Sequence, residues 1–148
     1  RMHIIHQTGE KDYREAQEAY RREGFEAEVY PFIQAMDRAY AQADLVLCRA
    51  GATTLFELMT TGLPAILVPY PHAANDHQTL NAQTMVDAGA AVLVADGDLS
   101  GAHLSKILKE LIQDPPRLKK MGDRAAVLAT PQAAQKIVAF CYEMAGHG

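Results

Sequence analysis

Three runs of consecutive apolar residues, each followed by a turn and then by a helical pattern, constrain the fold of this 148-residue chain most strongly. The runs are Leu45–Cys48, Ala65–Val68 and Ala91–Val94. A strand with one solvated face alternates apolar and polar residues, whereas a strand buried on both faces of a parallel sheet is continuously apolar. Strands that alternate with helices also indicate parallel pairing. The sequence therefore predicts an α/β fold, a doubly wound parallel sheet with ligands beyond the carboxyl ends of its strands.

Turn-forming residues bound the remaining segments and complete the alternating order. The short apolar run Met2–His6 predicts a further strand, and Glu28–Tyr30, before Pro31, predicts a weaker one. Glycine or proline closes most of the helical patterns. We place helices over Glu10–Glu23, Ile33–Ala43, Thr53–Thr60, the segment after Gln78 through Ala88, Ser100–Gln113, Pro116–Leu128 and Pro131–Met144. The length suits a single domain, residues 1–148, with one core.

Composition argues against several classes of function. The chain carries 14 Lys and Arg against 18 Asp and Glu, which argues against a nucleic-acid partner because a phosphate backbone needs clustered cations. No apolar run approaches the roughly 20 residues that span a bilayer, and the first residues show no signal-peptide pattern. The two cysteines are too few for a disulfide scaffold. Because Cys48 ends an apolar run, we predict that it is a buried thiol in a reducing compartment. The alternative is a Cys48–Cys141 disulfide.

The segment from Cys48 to Glu57 has the composition of an anion site at the start of a helix. Free N–H groups and the helix dipole at such a start attract an anion such as a diphosphate. Gly51 and Ala52 leave room for close approach, and the two threonines that follow, Thr53 and Thr54, add hydroxyl donors. Glu57 lies one turn in, where a carboxylate could accept both hydroxyls of a ribose. Thr54-x-x-Glu57 also fits a capping box, which needs no ligand, and the pattern alone leaves both interpretations open.

A second polar segment, from Pro69 to Ala82, follows the strand predicted at Ala65–Val68. Amide and imidazole groups there could bind sugar hydroxyls through directional hydrogen bonds. The alternative is a loop in which Asn75 or Asp76 only caps the next helix. Because two such loops follow neighbouring strands, we favour a binding site.

Metal binding is a weaker interpretation of the same region. His72 and His77 lie five residues apart with Asp76 between them, a spacing that fits no common metal motif. Asp96-Gly97-Asp98 resembles a metal-binding D-x-D but precedes a helix-capping serine, so we interpret it as a turn. His3 and His6 are expected to be ordinary strand residues. We therefore expect no metal and no cofactor.

Six pieces of the chain, in this order, resemble the MurG family of bacterial glycosyltransferases, which add N-acetylglucosamine to lipid-linked muramyl-pentapeptide in cell-wall synthesis. The pieces are His6–Gly9, Pro31–Ile33, Ala43–Thr54, Gly62–Pro69, His77–Ala82 and Ala88–Ala91. The resemblance implies the GT-B fold, in which two Rossmann-like domains enclose the active site. It implies that this chain is the C-terminal domain, which binds the donor UDP-GlcNAc.

The resemblance also assigns roles to residues. It places the uracil against the main chain of Ile33, and the ribose and diphosphate within the run from Ala52 to Glu57, with Glu57 on the ribose hydroxyls. Gln78, helped by His77, would hold the GlcNAc hydroxyls. The implied donor-binding residues are Ile33, Gly51, Ala52, Thr53, Thr54, Leu55, Phe56, Glu57, His77, Gln78 and Asn81.

Part of the family pattern has no counterpart in this sequence. The family's Gly-Gly-Ser loop is missing, as is the N-terminal domain that binds the acceptor lipid I and contacts the membrane. We therefore expect a fragment that is inactive alone, with no catalytic residue assigned in it. The whole protein would be cytoplasmic and peripheral on the inner face of the bacterial plasma membrane. The alternatives are a UDP-sugar-binding subunit or domain of another GT-B enzyme acting on lipids or natural products, and a non-catalytic Rossmann module.

Overall fold

The computed structural model describes residues 2–73 and 76–146 of the chain. These residues fall into two compact units, Arg1–Ala43 and Asp44–Gly148. Each unit contains one parallel sheet, of two strands in the first and three in the second. The predicted α/β class and the parallel pairing are therefore confirmed.

In the first unit, strands β1 (His3–Gln7) and β2 (Glu26–Tyr30) pair in parallel, with His3 opposite Glu26 and Gln7 opposite Tyr30. Helix α1 (Tyr13–Arg22) connects them. Its Tyr20 hydroxyl lies 3.1 Å from Nδ1 of His6. Burial of this contact lowers the pKa of His6. His3 and His6 are thus strand residues, as predicted.

Helix α2 (Met36–Gln42) follows β2 and begins three residues later than the predicted Ile33. That part of the prediction is wrong because of a contact between residues that are distant in the sequence. The backbone N–H of Ile33 donates to Oε1 of Gln7 at 2.8 Å, which ties residue 33 to the end of β1. The apolar spacing that suggested a longer helix cannot detect this bond.

The second unit is built on β3 (Val46–Cys48), β4 (Ala65–Leu67) and β5 (Ala91–Leu93), in that spatial order. Val46 lies opposite Ala65, which lies opposite Ala91. All three residues of the central strand β4 are buried. The continuous apolar run in the sequence therefore reflects a strand covered on both faces.

Five helices complete the second unit, and a 3-10 helix (Asp96–Asp98) precedes the third of them. The ends of these helices lie one or two residues from the predicted ends. The final helix, for example, ends at Ala145 and not at the predicted Met144. The helices are α3 (Ala52–Thr61), α4 (His77–Asp87), α5 (Gly101–Ile112), α6 (Pro115–Val127) and α7 (Ala133–Ala145). Ser100 caps α5, where its hydroxyl accepts the N–H of His103 at 3.2 Å.

The core of the second unit joins the sheet to α5 and α6. Its buried side chains are Ile66, Val68, Val94, Leu111 and Met121. Helices α3 and α6 approach closely where a Cβ at residue 122 would lie 2.5 Å from the carbonyl oxygen of Gly62, so only glycine fits at Gly122. This close approach lies at the end of α3, where Gly62 follows its last turn.

The structure shows the state of both cysteines. Cys48 is half-buried rather than buried, and Cys48 and Cys141 are both free thiols, so the disulfide alternative is wrong. Burial raises the pKa of the Cys48 thiol to about 11.

Helix α7 has no buried residue. Within residues 2–73 and 76–146, no helix has the length and apolar character needed to cross a membrane.

Candidate functional site

The turn between β3 and α3 leaves the start of the helix uncapped. Gly51 occupies the N-cap position, and no side chain among the described residues caps the helix there. The first helical hydrogen bond runs from the N–H of Leu55 to the carbonyl of Gly51 at 3.0 Å. The N–H groups of the three residues between them lack a partner within the helix, as at every helix start. Together with the helix dipole they form a site with partial positive charge.

Neither the backbone nor packing requires glycine at position 51. Its φ of -68° and ψ of 140° suit any L-amino acid. A Cβ built there would meet only Oγ1 of Thr54, at 4.0 Å. Serine, aspartate or asparagine would cap the helix at least as well as glycine. The missing side chain therefore has one physical effect, which is to leave the space in front of the helix open.

The capping-box interpretation of Thr54-x-x-Glu57 is wrong. Helix α3 begins at Ala52, so Thr54 is its third residue and cannot be the cap. Glu57 lies one turn further along and is half-buried. The interpretation of Glu57 as a ribose ligand stays a prediction.

The other predicted residues of this run differ in exposure. Ala52 and Thr53 are exposed and Thr54 is half-buried. The side chain of Phe56 is 61% exposed, whereas Leu55 is only 4% exposed and belongs to the core. Leu55 thus offers no side-chain surface to a ligand, and its place in the site also stays a prediction.

The loop between β4 and α4 is held by a side chain of the helix that follows it. Oε1 of Gln78 accepts the backbone N–H of Tyr70 at 2.9 Å. Asp76, at the N-cap position of α4, adopts a left-handed conformation with φ of 53° and makes no capping bond. It accepts a hydrogen bond from the Thr79 hydroxyl at 2.7 Å. His77 is exposed at the first position of α4. Asn75, the other proposed cap, lies outside the described residues.

The two predicted binding segments are joined by Asn81. Its Nδ2 donates to the carbonyl oxygen of Ala50 at 3.4 Å, and Ala50 is fully buried beside Gly51. The start of α4 is therefore attached to the β3–α3 turn. The structure brings together the helix start at Gly51, the residues Gln78 and Asn81, and the carboxyl ends of β3 and β4.

A cation that was not predicted from the sequence, Arg49, lies at the same edge of the sheet. Nη1 of Arg49 donates to the carbonyls of Val68 at 3.3 Å and Pro69 at 3.2 Å, and to Oδ1 of Asp96 at 2.5 Å. The guanidinium carbon of Arg49 lies 5.7 Å from the ring centroid of Tyr70. The positions of the two residues could have indicated the pair, because Arg49 directly follows β3 and Asp96 lies three residues after β5.

The D-x-D segment forms a 3-10 helix, which confirms its interpretation as a turn. The carboxylate of Asp96 is occupied by Arg49. Among residues 2–73 and 76–146, no three His, Cys, Asp or Glu side chains are grouped as they would be around a metal ion.

Ile33 belongs to the first unit. Because its N–H is bonded to Gln7, its carbonyl is the main-chain group left for a nucleobase. A carbonyl could accept the N3–H of uracil. The uracil contact itself stays a prediction.

The profile of the glycosyltransferase family 28 C-terminal domain matches residues 1–137. This chain belongs to glycosyltransferase family 28. This match agrees with the resemblance to the MurG family that the sequence shows.

Two relatives of this family 28 chain carry the name UDP-N-acetylglucosamine--N-acetylmuramyl-(pentapeptide) pyrophosphoryl-undecaprenol N-acetylglucosamine transferase. The protein of Myxococcus xanthus is 46% identical over 97% of this chain and 37% of its own length. That of Marinobacter nauticus is 49% identical over 98% of this chain and 40% of its own length. The chain thus spans about 40% of the length of the curated relatives it matches.

Two solved structures are similar to this chain. MurG of Acinetobacter baumannii, a GT-B glycosyltransferase, is 34% identical, with a TM-score of 0.89 over 95% of this family 28 chain and 43% of that one. The glycotransferase of kitacinnamycin is 19% identical, with a TM-score of 0.56 over 76% of this chain and 29% of that one. The second match supports the fold alone.

Proposed function

We propose that residues 1–148 form the donor-binding domain of a transferase that moves GlcNAc from UDP-GlcNAc to lipid I, giving lipid II for peptidoglycan. The printed names of the relatives support this reaction. The acceptor and the membrane would be bound by the part of the relatives' length that this chain does not span. The whole protein would act at the cytoplasmic face of the plasma membrane.

The observation that carries the proposal is the uncapped start of α3 at Gly51, with open space in front of it. A diphosphate placed there would receive the N–H groups of the first helical turn. Transfer releases UDP, so negative charge grows on the leaving diphosphate as the glycosidic bond breaks. Donors already oriented toward that charge would stabilise the transition state more than the ground state.

The sugar would lie beside the diphosphate, toward the β4–α4 loop. Gln78 uses its carboxamide oxygen on Tyr70, so its Nε2 is the group available to donate to a sugar hydroxyl. Asn81 uses Nδ2 on the Ala50 carbonyl, so its Oδ1 is the group available to accept. One donor and one acceptor in fixed positions could distinguish equatorial from axial hydroxyls.

No residue of this chain is assigned as general base. The hydroxyl that attacks the anomeric carbon belongs to the acceptor, and the base would come from the part that binds the acceptor. The chain alone should therefore bind the donor without transferring GlcNAc.

Thermal unfolding with added nucleotide tests the donor-binding proposal. A ligand that binds only the folded state raises the free energy of unfolding by RT ln(1 + [L]/Kd). We expect UDP and UDP-GlcNAc to raise the Tm of the chain in proportion to the logarithm of their concentration. A Tm that responds to neither compound at millimolar concentration would refute the proposal and favour a non-catalytic module.

A further inference from the structure

The side chain of Asp96 lies outside every binding segment predicted from the sequence, yet it is connected to them through Arg49. Among residues 2–73 and 76–146, Nη1 of Arg49 bonds two neutral carbonyl oxygens and one charged group, the carboxylate of Asp96. Charge-assisted hydrogen bonds are roughly twice as strong as neutral ones. The carboxylate of Asp96 is therefore the principal anchor of this guanidinium.

The anchored guanidinium in turn contacts the β4–α4 loop. It bonds the carbonyl of Pro69 and lies over the ring of Tyr70 at 5.7 Å. Tyr70 donates its N–H to Oε1 of Gln78. A continuous series of contacts thus runs from Asp96 through Arg49 and Tyr70 to Gln78. Without the carboxylate, the half-exposed Arg49 side chain would be free to turn away from Tyr70 and into solvent.

We propose that Asp96 is a positioning residue for sugar recognition. Its carboxylate holds Arg49 against Tyr70, which keeps the carboxamide of Gln78 turned with its nitrogen toward the sugar. Asp96 itself touches no part of the donor. This inference rests on the proposed function, because it assumes that the chain binds UDP-GlcNAc.

The test compares UDP-GlcNAc with UDP, which lacks the sugar, by calorimetric titration of the chain. Asp96→Ala should weaken UDP-GlcNAc binding by about three- to tenfold, the effect of one misplaced hydrogen bond. Binding of UDP should change by less than about twofold, because the helix start at Gly51 is unaltered. Asp96→Asn, which keeps an acceptor oxygen but loses the charge, should give a smaller loss. Asp98→Ala removes the same charge from the same 3-10 helix, away from Arg49, and should leave both affinities unchanged.

A double-mutant cycle separates positioning from a general loss of stability. If Asp96 acts through Gln78, Asp96→Ala should have no further effect on UDP-GlcNAc binding in a chain that already carries Gln78→Ala. Independent, additive losses would overturn the inference, as would equal losses for UDP and UDP-GlcNAc. If the wild-type chain binds no UDP, the proposed function fails and the inference fails with it. If the wild type binds both ligands and Asp96→Ala leaves their ratio unchanged, only the inference fails.

Discussion

The backbone N–H of Tyr70 donates to Oε1 of Gln78 across the mouth of the β4–α4 loop, at 2.9 Å. This bond gives the Gln78 carboxamide two separable roles. Its oxygen supports the loop, and its nitrogen is left for a ligand. A substitution that removes only one of these roles can therefore tell them apart.

Replacing Gln78 by glutamate keeps an oxygen for Tyr70 and removes the nitrogen donor. We expect Gln78→Glu to keep a Tm close to that of the wild type. The preference for UDP-GlcNAc over UDP-GalNAc should fall by about 1 kcal/mol, the net value of one hydrogen bond. Competition titrations with the two sugar nucleotides would measure the preference. The added charge weakens both ligands alike and cancels in the ratio.

Gln78→Met is the matched control, because it removes both roles at similar size. It should lower the preference to the same extent and also lower the Tm. An unchanged preference in Gln78→Glu, with a loss in Gln78→Met, would mean that Gln78 supports the loop and does not contact the sugar.

Gly51→Asp should separate stability from binding. Aspartate is a better N-cap than glycine, so the free energy of unfolding should rise by about 0.3 kcal/mol. The same carboxylate would occupy the open space and repel a diphosphate, so UDP affinity should fall at least about tenfold. Chemical denaturation and calorimetry would measure the two effects. As a control, Gly101→Asp places the same side chain on the first residue of α5 and should leave UDP affinity unaltered. If Gly51→Asp binds UDP as tightly as the wild type, the diphosphate does not bind at the start of α3.

Glu57→Gln tests the proposed ribose contact. The side chain keeps its size, but an amide replaces the carboxylate that would accept two hydroxyls. UDP binding should weaken by about 1–3 kcal/mol, the range for a lost charge-assisted hydrogen bond. Thermal stability should change little. Glu110→Gln, on an exposed position of α5, provides the matched control. A fall in Tm with UDP affinity intact would show that Glu57 serves the fold.

Cys48 and Cys141, the two free thiols, should differ in their rate of alkylation. Burial raises the pKa of Cys48 to about 11. A raised pKa favours the protonated thiol, so at pH 8 only about one Cys48 in a thousand is the reactive thiolate. Alkylation at Cys48 should be slow and should accelerate about tenfold per pH unit up to that pKa. Mass spectrometry of alkylated peptides should find the exposed Cys141 modified first; rapid labelling of Cys48 at pH 7 would contradict this.

The sheet of the second unit could be predicted because its strands are local and continuously apolar. Residues 65–67 are adjacent in sequence and buried together, so their composition alone reveals their position. The start of α2 was predicted wrongly because it depends on Gln7, which lies 26 residues before Ile33. Local periodicity contains no information about such a bond.

The same limit applies to the candidate site. Its glycine turn and its amide residues follow neighbouring strands, so the sequence could place them together through the geometry of parallel sheets. The pair of Arg49 and Asp96 spans 47 residues, and neither residue type is unusual at the end of a strand. Sequence reasoning could also not fix where α3 begins, and so could not decide between a capping box and an open helix start.

Arg49 directly follows β3, and its guanidinium nitrogen is bonded to groups that follow two other strands, β4 and β5, which also affects local motion. The segments after β3, β4 and β5 cannot loosen one at a time without breaking a bond to Arg49. Proteins open locally in cooperative groups, and amides within one group exchange their hydrogens with a common opening free energy. The amide of Tyr70 follows Pro69, and the amide of Leu99 donates to the carbonyl of Asp96, so these two amides should exchange at correlated rates. These three segments would form a single dynamic unit at the carboxyl edge of the sheet.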